Sequence, residues 1–251
     1  MCKNNRNIEI RNLEIISDSK PVITNLCLDI PLTKVTHIIS DNGLLVKLLL
    51  KSIGGILPPE RGTIFIDGND IYTNDFILQK KIRQKTSFVF ENGGLLSNLS
   101  LEANLLLPIN FHFPEISYDK KMQRINAYLN EFELDIDLSK RPAQIDIEIA
   151  KQIGFIRALL TEPEILIYDE PLRFTNSLGK RNVLRKITDC RNENCTQIIK
   201  NQSSFIFFKR ADWIIEICEN KLYFEGKPED YLNFSNSTQK LKKGEDIETS
   251  I

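Results

Sequence analysis

The sequence predicts an α/β protein built around a mostly parallel, covered β-sheet. Short runs rich in Ile, Val and Phe alternate along the chain with longer segments of helical periodicity. One of these runs, residues 165–168, is continuously apolar, which is typical of a strand buried on both faces. The chain has 251 residues, enough to bury a large core within a single α/β unit.

Strands are expected first at residues 8–13 and 22–30, where apolar and polar side chains alternate. Shorter β-rich runs follow at residues 35–39, 62–68, 86–90, 165–169, 196–199 and 221–226. Helices are predicted at residues 44–53, 115–134, 145–160 and 176–190. From about Asn233 the chain becomes polar and charged, so we expect a domain over residues 1–232 and a polar tail over residues 233–251.

Composition excludes several classes of protein. The chain is 41% hydrophobic and 27% charged with a net charge of −1, so nothing in it calls for a nucleic-acid partner. Five scattered cysteines form neither a disulfide framework nor a zinc spacing, which indicates a reducing compartment. The first six residues do not resemble a signal peptide, and the apolar runs are shorter than the ~20 residues of a membrane span. We expect a cytoplasmic protein that reaches a membrane only through a partner.

The run at residues 165–171 reads Ile-Leu-Ile-Tyr-Asp-Glu-Pro and ends in two acids, Asp169 and Glu170. With the order and spacing of the other elements, it resembles the ATPase subunit of an ATP-binding-cassette (ABC) transporter. The likeness is greatest to the subunits that serve bacterial lipid transport of the maintenance-of-lipid-asymmetry type. It is carried by residues 51–59 with Gly62, residues 88–96, and residues 99–104 with Pro108.

This resemblance implies a P-loop fold with an N-terminal antiparallel β part and a helical subdomain at roughly residues 92–160. It also implies ATP and Mg²⁺ as cofactors, and a head-to-tail homodimer or a heterodimer with another ABC ATPase subunit. A membrane permease would hold the chain at the inner face of the cytoplasmic membrane. Residues 91–108 keep the apolar character that receives a permease helix in the family, although core packing explains individual leucines equally well.

The phosphate loop implied by the resemblance is heavily altered. A working loop has the pattern G-x-x-x-x-G-K-[ST], in which backbone N–H groups and the lysine hold the phosphates. Here only the internal Gly43 remains, Val46 stands at the lysine position, and Asp41 adds a negative charge beside a polyanion. The pattern falls on Ser40, Asp41, Asn42, Gly43, Leu44, Leu45, Val46, Lys47 and Leu48.

The other motifs of the family also depart from their usual form. Glu91 stands at the position of the glutamine that senses Mg²⁺, and Gln202 stands at the switch-histidine position. The signature that clasps the opposite subunit's ATP falls on Ile145, Asp146, Ile147 and Glu148. Its two acids would repel a γ-phosphate, and they are also suitable acids for the first turn of a helix, so both interpretations hold together.

Asp169 takes the position of the Mg²⁺-organising acid, and Glu170 that of the general base. We favour the interpretation that both persist as strand-end packing or capping groups. Lys47 stands where a Mg²⁺-binding hydroxyl would be, so we expect it to pair with Asp169 and substitute for the charge of the metal. A solvated surface lysine is the alternative.

The sequence therefore predicts a pseudo-ATPase with impaired or absent ATP hydrolysis, a structural or regulatory subunit of a bacterial lipid or solute transporter that docks on a membrane permease. Two other hypotheses stay open. One is an active but atypical ATPase that powers phospholipid transport, and the other is a free-standing interaction module.

Overall fold

The chain begins with a sheet of antiparallel strands. A computed structural model describes residues 7–201 and 204–235. In this sheet β1 (Asn7–Ser17) lies between β2 (Lys20–Pro31) and β4 (Arg61–Ile66), and β5 (Asn69–Asp70) pairs with β4 at the edge. Alternate residues of β1 and β2 are buried, as the period of a half-buried strand requires.

A second sheet of six strands forms the centre of the molecule, in the order β10-β9-β3-β8-β7-β6. Its strands are β3 (Val35–Ser40), β6 (Thr86–Val89), β7 (Ile165–Asp169), β8 (Thr196–Lys200), β9 (Trp213–Cys218) and β10 (Lys221–Gly226). All neighbouring strands are parallel except the pair β9 and β10. Because parallel strands end at one edge of a sheet, Ser40, Asp169 and Lys200 lie along the same edge.

Helices cover these sheets and fill the connection between β6 and β7. They are α1 (Gly43–Ile53), α2 (Phe76–Lys85), α3 (Leu101–His112), α4 (Tyr118–Glu131), α5 (Ile147–Leu159), α6 (Ser177–Asn192), α7 (Ser204–Phe208) and α8 (residues 228–235). A 3-10 turn, Pro142–Gln144, precedes α5. No helix in the described ranges is long and apolar enough to cross a membrane.

The helices differ from the sequence prediction at five elements. The helix predicted at residues 115–134 is shorter and begins at Tyr118. Helices α2, α3 and α7 were not predicted. None of the α2 residues is buried, and α3 contains Pro108 within an otherwise apolar run. Helix α8 extends past Asn233, and the rest of the predicted tail lies outside the described residues.

Two hydrophobic cores hold the molecule together. In one, residues of α3, α4, α5 and α6 pack with the inward side chains of β7, among them Leu105, Ile153 and Tyr168. In the other, α1 lies between the two sheets, and its Leu49 and Leu50 belong to one buried cluster with apolar residues of β1, β2 and β7. The start of α1, which carries the altered loop, is therefore fixed between two packed layers.

Candidate nucleotide site

The segment in the phosphate-loop position is short and closed on itself. Strand β3 ends at Ser40 and α1 begins at Gly43, so only Asp41 and Asn42 lie between them. Asn42 is the N-cap of α1, and its side-chain oxygen accepts the Leu45 N–H at 3.1 Å. The Asn42 N–H in turn donates to Ser40 Oγ at 3.1 Å. Two of the N–H groups that could hold a phosphate are therefore used within the segment itself.

The side chains of this segment also differ from those of a phosphate cradle. Leu45 and Val46 are each 1% exposed and belong to the core around α1. Leu48 is buried as well, whereas Leu44 is half exposed. No atom lies within 4 Å of the place that a Cβ on Gly43 would take, so this glycine is not required by a close approach. Val46, at the position that the predicted loop pattern gives to the phosphate-binding lysine, is therefore a core residue.

Lys47 lies between two acids at the edge of the central sheet. Its Nζ is 3.1 Å from Glu91 Oε2 and 3.9 Å from Asp169 Oδ2. The predicted contact with Asp169 is thus present, but Glu91 is the nearer partner. Glu91 also pairs with Arg173. Burial raises the pKa of Glu91, but the Lys47 hydrogen bond and the charges of Lys47 and Arg173 outweigh it and bring the pKa below its usual value.

Lys200, the last residue of β8, is the closest partner of Asp169. Its Nζ is 3.1 Å from Asp169 Oδ1 and 3.2 Å from Glu170 Oε1, and the two carboxylate side chains are 2% and 3% exposed. Burial lowers the pKa of Lys200, but the two acids raise it to a net value above the usual one. No motif in the sequence marks this residue. The available signal was a charged residue at the carboxyl end of an apolar strand, and its register with Asp169 follows only from the pairing of β7 with β8.

Lys151 on α5 supports the turn that follows β7. Its Nζ donates to the backbone oxygen of Glu170 and to that of Arg173, the latter at 2.6 Å. Glu170 has a φ of 54°, a left-handed conformation that costs energy in a non-glycine residue. Burial lowers the pKa of Lys151 to about 8. Lys151 therefore holds the backbone of the strained turn at Glu170 and Arg173.

These groups do not fit a Mg²⁺ ion. The metal prefers oxygen ligands in an octahedral arrangement, usually one or two carboxylates with water and phosphate oxygens. Here ammonium groups already contact both carboxylates, and the hydroxyl position is Lys47. Across the residues that the structure describes, no group of three or more His, Cys, Asp or Glu could hold a metal ion. The three acids are balanced within the chain by Lys47, Lys151, Arg173 and Lys200.

The signature positions form the start of α5. Asp146 is the exposed N-cap residue, without a hydrogen bond from its side chain to the helix, and Glu148 lies in the first turn. Glu148 accepts a weak hydrogen bond from Gln152 at 3.5 Å. Ile145 packs against the core, and Ile147 is half exposed. This placement agrees with both interpretations of the two acids. Gln202, at the switch position, lies outside the described residues.

Three features together define a nucleotide-binding cassette. They are the parallel sheet with acids at its carboxyl edge, the helix that follows β3, and the helical insertion before β7. The family model described as ABC transporter matches residues 23–173, more than half of the chain. The chain belongs to the ABC transporter family. It is a cassette subunit of transporter type, and its α/β P-loop fold with an antiparallel sheet and helical elements is the one predicted from the sequence.

Curated relatives include the intermembrane phospholipid transport system ATP-binding protein MlaF of Haemophilus influenzae. It is 27% identical over 228 residues, which cover 90% of this chain and 85% of the relative. The energy-coupling factor transporter ATP-binding protein EcfA1 of Mycoplasmopsis synoviae is 26% identical and covers 86% of this chain and 80% of its own. A solved cassette, the dimeric MJ0796 in a post-hydrolysis state with ADP and Pi, superposes with a TM-score of 0.78. At 21% identity, covering 88% of this chain and 98% of the other, it shows the fold alone.

Proposed function

We propose that this chain is a non-hydrolysing cassette subunit of a lipid transporter, whose nucleotide site is closed by its own lysines. The observation that carries the proposal is the position of Lys200 between Asp169 and Glu170. In an active site these two oxygens would serve a metal ion and an attacking water. Here they neutralise an ammonium group that is itself largely buried.

The site lacks the groups that phosphoryl transfer requires. Its catalysis rests on positioning the phosphates and on stabilising the charge that spreads over the transferred group. The loop has lost its lysine to the core position Val46, and Asn42 occupies one of the helix N–H donors. A nucleotide would also have to displace the ion pairs of Lys47 before Mg²⁺ could reach Asp169.

A dimer does not restore the site in this account. In the family, each nucleotide lies between the phosphate loop of one subunit and the signature of the other. This chain contributes an altered version of both, so a homodimer has two deficient sites. A heterodimer with an intact cassette subunit also has two, because each site takes one half from this chain. The cassette fold then serves assembly rather than turnover.

A role beside a permease at the cytoplasmic face of the membrane is supported by the surface of the helical part. Leu96, Leu107 and Phe111 are 48%, 39% and 56% exposed, while Leu101 and Leu105 of the same segment are fully buried. The segment thus combines a packed inner face with an apolar outer face, as a docking surface requires. The phospholipid-transport relative supports a lipid as the cargo of the complex.

Turnover and assembly test the proposal together. We expect the purified chain, alone and with its permease, to release phosphate from Mg²⁺-ATP no faster than the Glu170→Gln variant. We also expect it to co-purify with a membrane permease from its native host. Turnover that Glu170→Gln abolishes would establish an atypical ATPase instead. Turnover by neither protein, together with no permease in the purified material, would favour a free-standing interaction module.

A further inference from the structure

A pair of cysteines lies at the opposite edge of the central sheet from the nucleotide site. Cys190 is in the last turns of α6, and Cys195 directly precedes β8. The Cys195 N–H donates to the Cys190 carbonyl at 2.9 Å, and Asn194 between them has a φ of 60°. This is the six-residue closure of a Schellman cap, which brings the side chains at its two ends together. Both ends of the cap are thiols here.

The two thiols are chemically unequal. The Cys195 thiol donates to the carbonyl oxygens of Pro163 and Thr196 at 3.4 and 3.6 Å. Its proximity lowers the pKa of Cys190, and the proximity of Cys190 raises the pKa of Cys195. Lys186, one turn before Cys190 on α6, adds a positive charge nearby. Burial, Glu193, Asp189 and the carbonyl end of α6 act against a thiolate, but the Cys195 thiol and Lys186 outweigh them and bring the pKa of Cys190 below its usual value. Cys190 is therefore the nucleophile of the pair.

The pair also has access to small solutes. Both cysteines line a cavity of about 1960 Å³ at the amino ends of the parallel strands, although the residues themselves are only 5% and 9% exposed. This degree of burial keeps other proteins away from the sulfur atoms. A molecule of the size of hydrogen peroxide can approach them through the cavity.

We infer that Cys190 and Cys195 form a reversible dithiol–disulfide site that is oxidised by hydroperoxides. The Cys190 thiolate attacks one peroxide oxygen, the O–O bond breaks, and the departing hydroxide takes a proton to become water. Cys190 is then a sulfenic acid. Cys195, after losing its proton, attacks the Cys190 sulfur, the S–O bond breaks, and hydroxide leaves as a second water. Two thiols have lost two electrons to the peroxide, and a dithiol reductant reverses the change.

The site is connected to the nucleotide position through one strand. Strand β8 begins beside Cys195 and ends at Lys200, which pairs with Asp169 and Glu170. A disulfide would tie the start of this strand to the end of α6. The inference does not depend on the proposed loss of ATP hydrolysis, because it concerns the opposite edge of the sheet and is measured without nucleotide.

Peptide mapping of the unaltered chain tests the inference. Trypsin cleaves after Lys186, Arg191 and Lys200, so the two cysteines fall in the separate peptides 187–191 and 192–200. After brief treatment with equimolar hydrogen peroxide and blocking of free thiols, we expect the two peptides to appear as one linked species, lighter by two hydrogens. Reduction before digestion should separate them. Unlinked peptides, or links from either peptide to Cys27 or Cys218, would overturn the inference.

Two single substitutions test the assigned roles. In Cys195→Ser, Cys190 should accumulate a sulfenic acid that dimedone traps. In Cys190→Ser, Cys195 should be labelled at least tenfold more slowly. Equal labelling of both would show that the pair is only the apolar contact of a helix cap. Cys27→Ser is the matched control, since Cys27 is exposed and distant in the fold, and it should leave the linked species unchanged.

Discussion

Replacing Lys200 with Met probes the ion pairs at the centre of the site. The substitution keeps an unbranched side chain of similar length and removes the cation 3.1 Å from Asp169 and 3.2 Å from Glu170. Both carboxylates are almost fully buried, so the loss leaves them without their nearest counter-charge. Removing one partner of a buried pair usually costs about 3–5 kcal/mol. Lys47 remains 3.9 Å from Asp169 and offsets part of this, so we expect a loss of about 3 kcal/mol in the free energy of unfolding.

Urea denaturation followed by circular dichroism measures this change. Lys180→Met is the matched control, because Lys180 is exposed on α6 and should change stability by less than about 0.5 kcal/mol. Adding Asp169→Asn to both backgrounds gives a double-mutant cycle, in which we expect a coupling of about 1–3 kcal/mol between Lys200 and Asp169. A loss for Lys200→Met no greater than that of the control, with no coupling, would refute the assigned ion pair.

The pH dependence of the same variant adds an independent test. The pKa of Lys200 is raised above its usual 10.5 in the folded chain. The folded state therefore holds this proton more tightly than the unfolded state does. The resulting stability is complete below pH 10.5 and is lost as the pH rises through the folded pKa. The unaltered chain should lose stability in this alkaline range more steeply than Lys200→Met. Parallel curves would show that Lys200 is not held by the two acids.

Two further predictions concern the altered loop and the core beside it. Val46→Lys, which restores the lysine of the family, should destabilise the chain by about 3 kcal/mol without creating turnover, because residue 46 is 1% exposed in the core. Gly43→Ala should change the free energy of unfolding by less than about 0.5 kcal/mol, since the surroundings of Gly43 are open. Thermal denaturation measures the stability of both variants, and phosphate release measures their turnover. A stable Val46→Lys variant that hydrolyses ATP would contradict the account. Burial lowers the pKa of His37 to about 4, so stability should fall by roughly 3 kcal/mol as the pH drops from 6.5 to 4. The His37→Leu variant should lack this pH dependence of the free energy of unfolding, measured by urea titration at pH values across that range. A variant whose stability falls with pH as steeply as that of the unaltered chain would contradict the prediction.

The fold was predictable from the sequence because it depends on local patterns. The apolar run that ends in Asp169 and Glu170 is a buried strand whose acids lie at the carboxyl edge of the sheet. The altered residues of the loop could also be read directly. Helix α3 was missed because Pro108 and a nearly uniform apolar composition hide its period.

The partners within the site required the order of the strands. Lys47 was expected to contact Asp169, and it does lie nearby, but Glu91 from the end of β6 is closer. Lys200 reaches Asp169 only because β7 and β8 are adjacent and in register, which no single-strand pattern reveals. Val46 was identified by its motif position, whereas its burial follows from the way α1 packs between the two sheets.

The binding of Mg²⁺-ATP is the most direct test of a site closed by its own cations. Isothermal titration calorimetry of the reduced, full-length chain at neutral pH, with nucleotide up to millimolar concentration, measures it without any assumption about turnover. We predict no saturable heat and no shift in the unfolding temperature. A ligand at 100 times its dissociation constant would stabilise the chain by about 2.7 kcal/mol, which a thermal scan detects easily. Saturable binding in the micromolar range that is lost with Mg²⁺ removal would contradict the account.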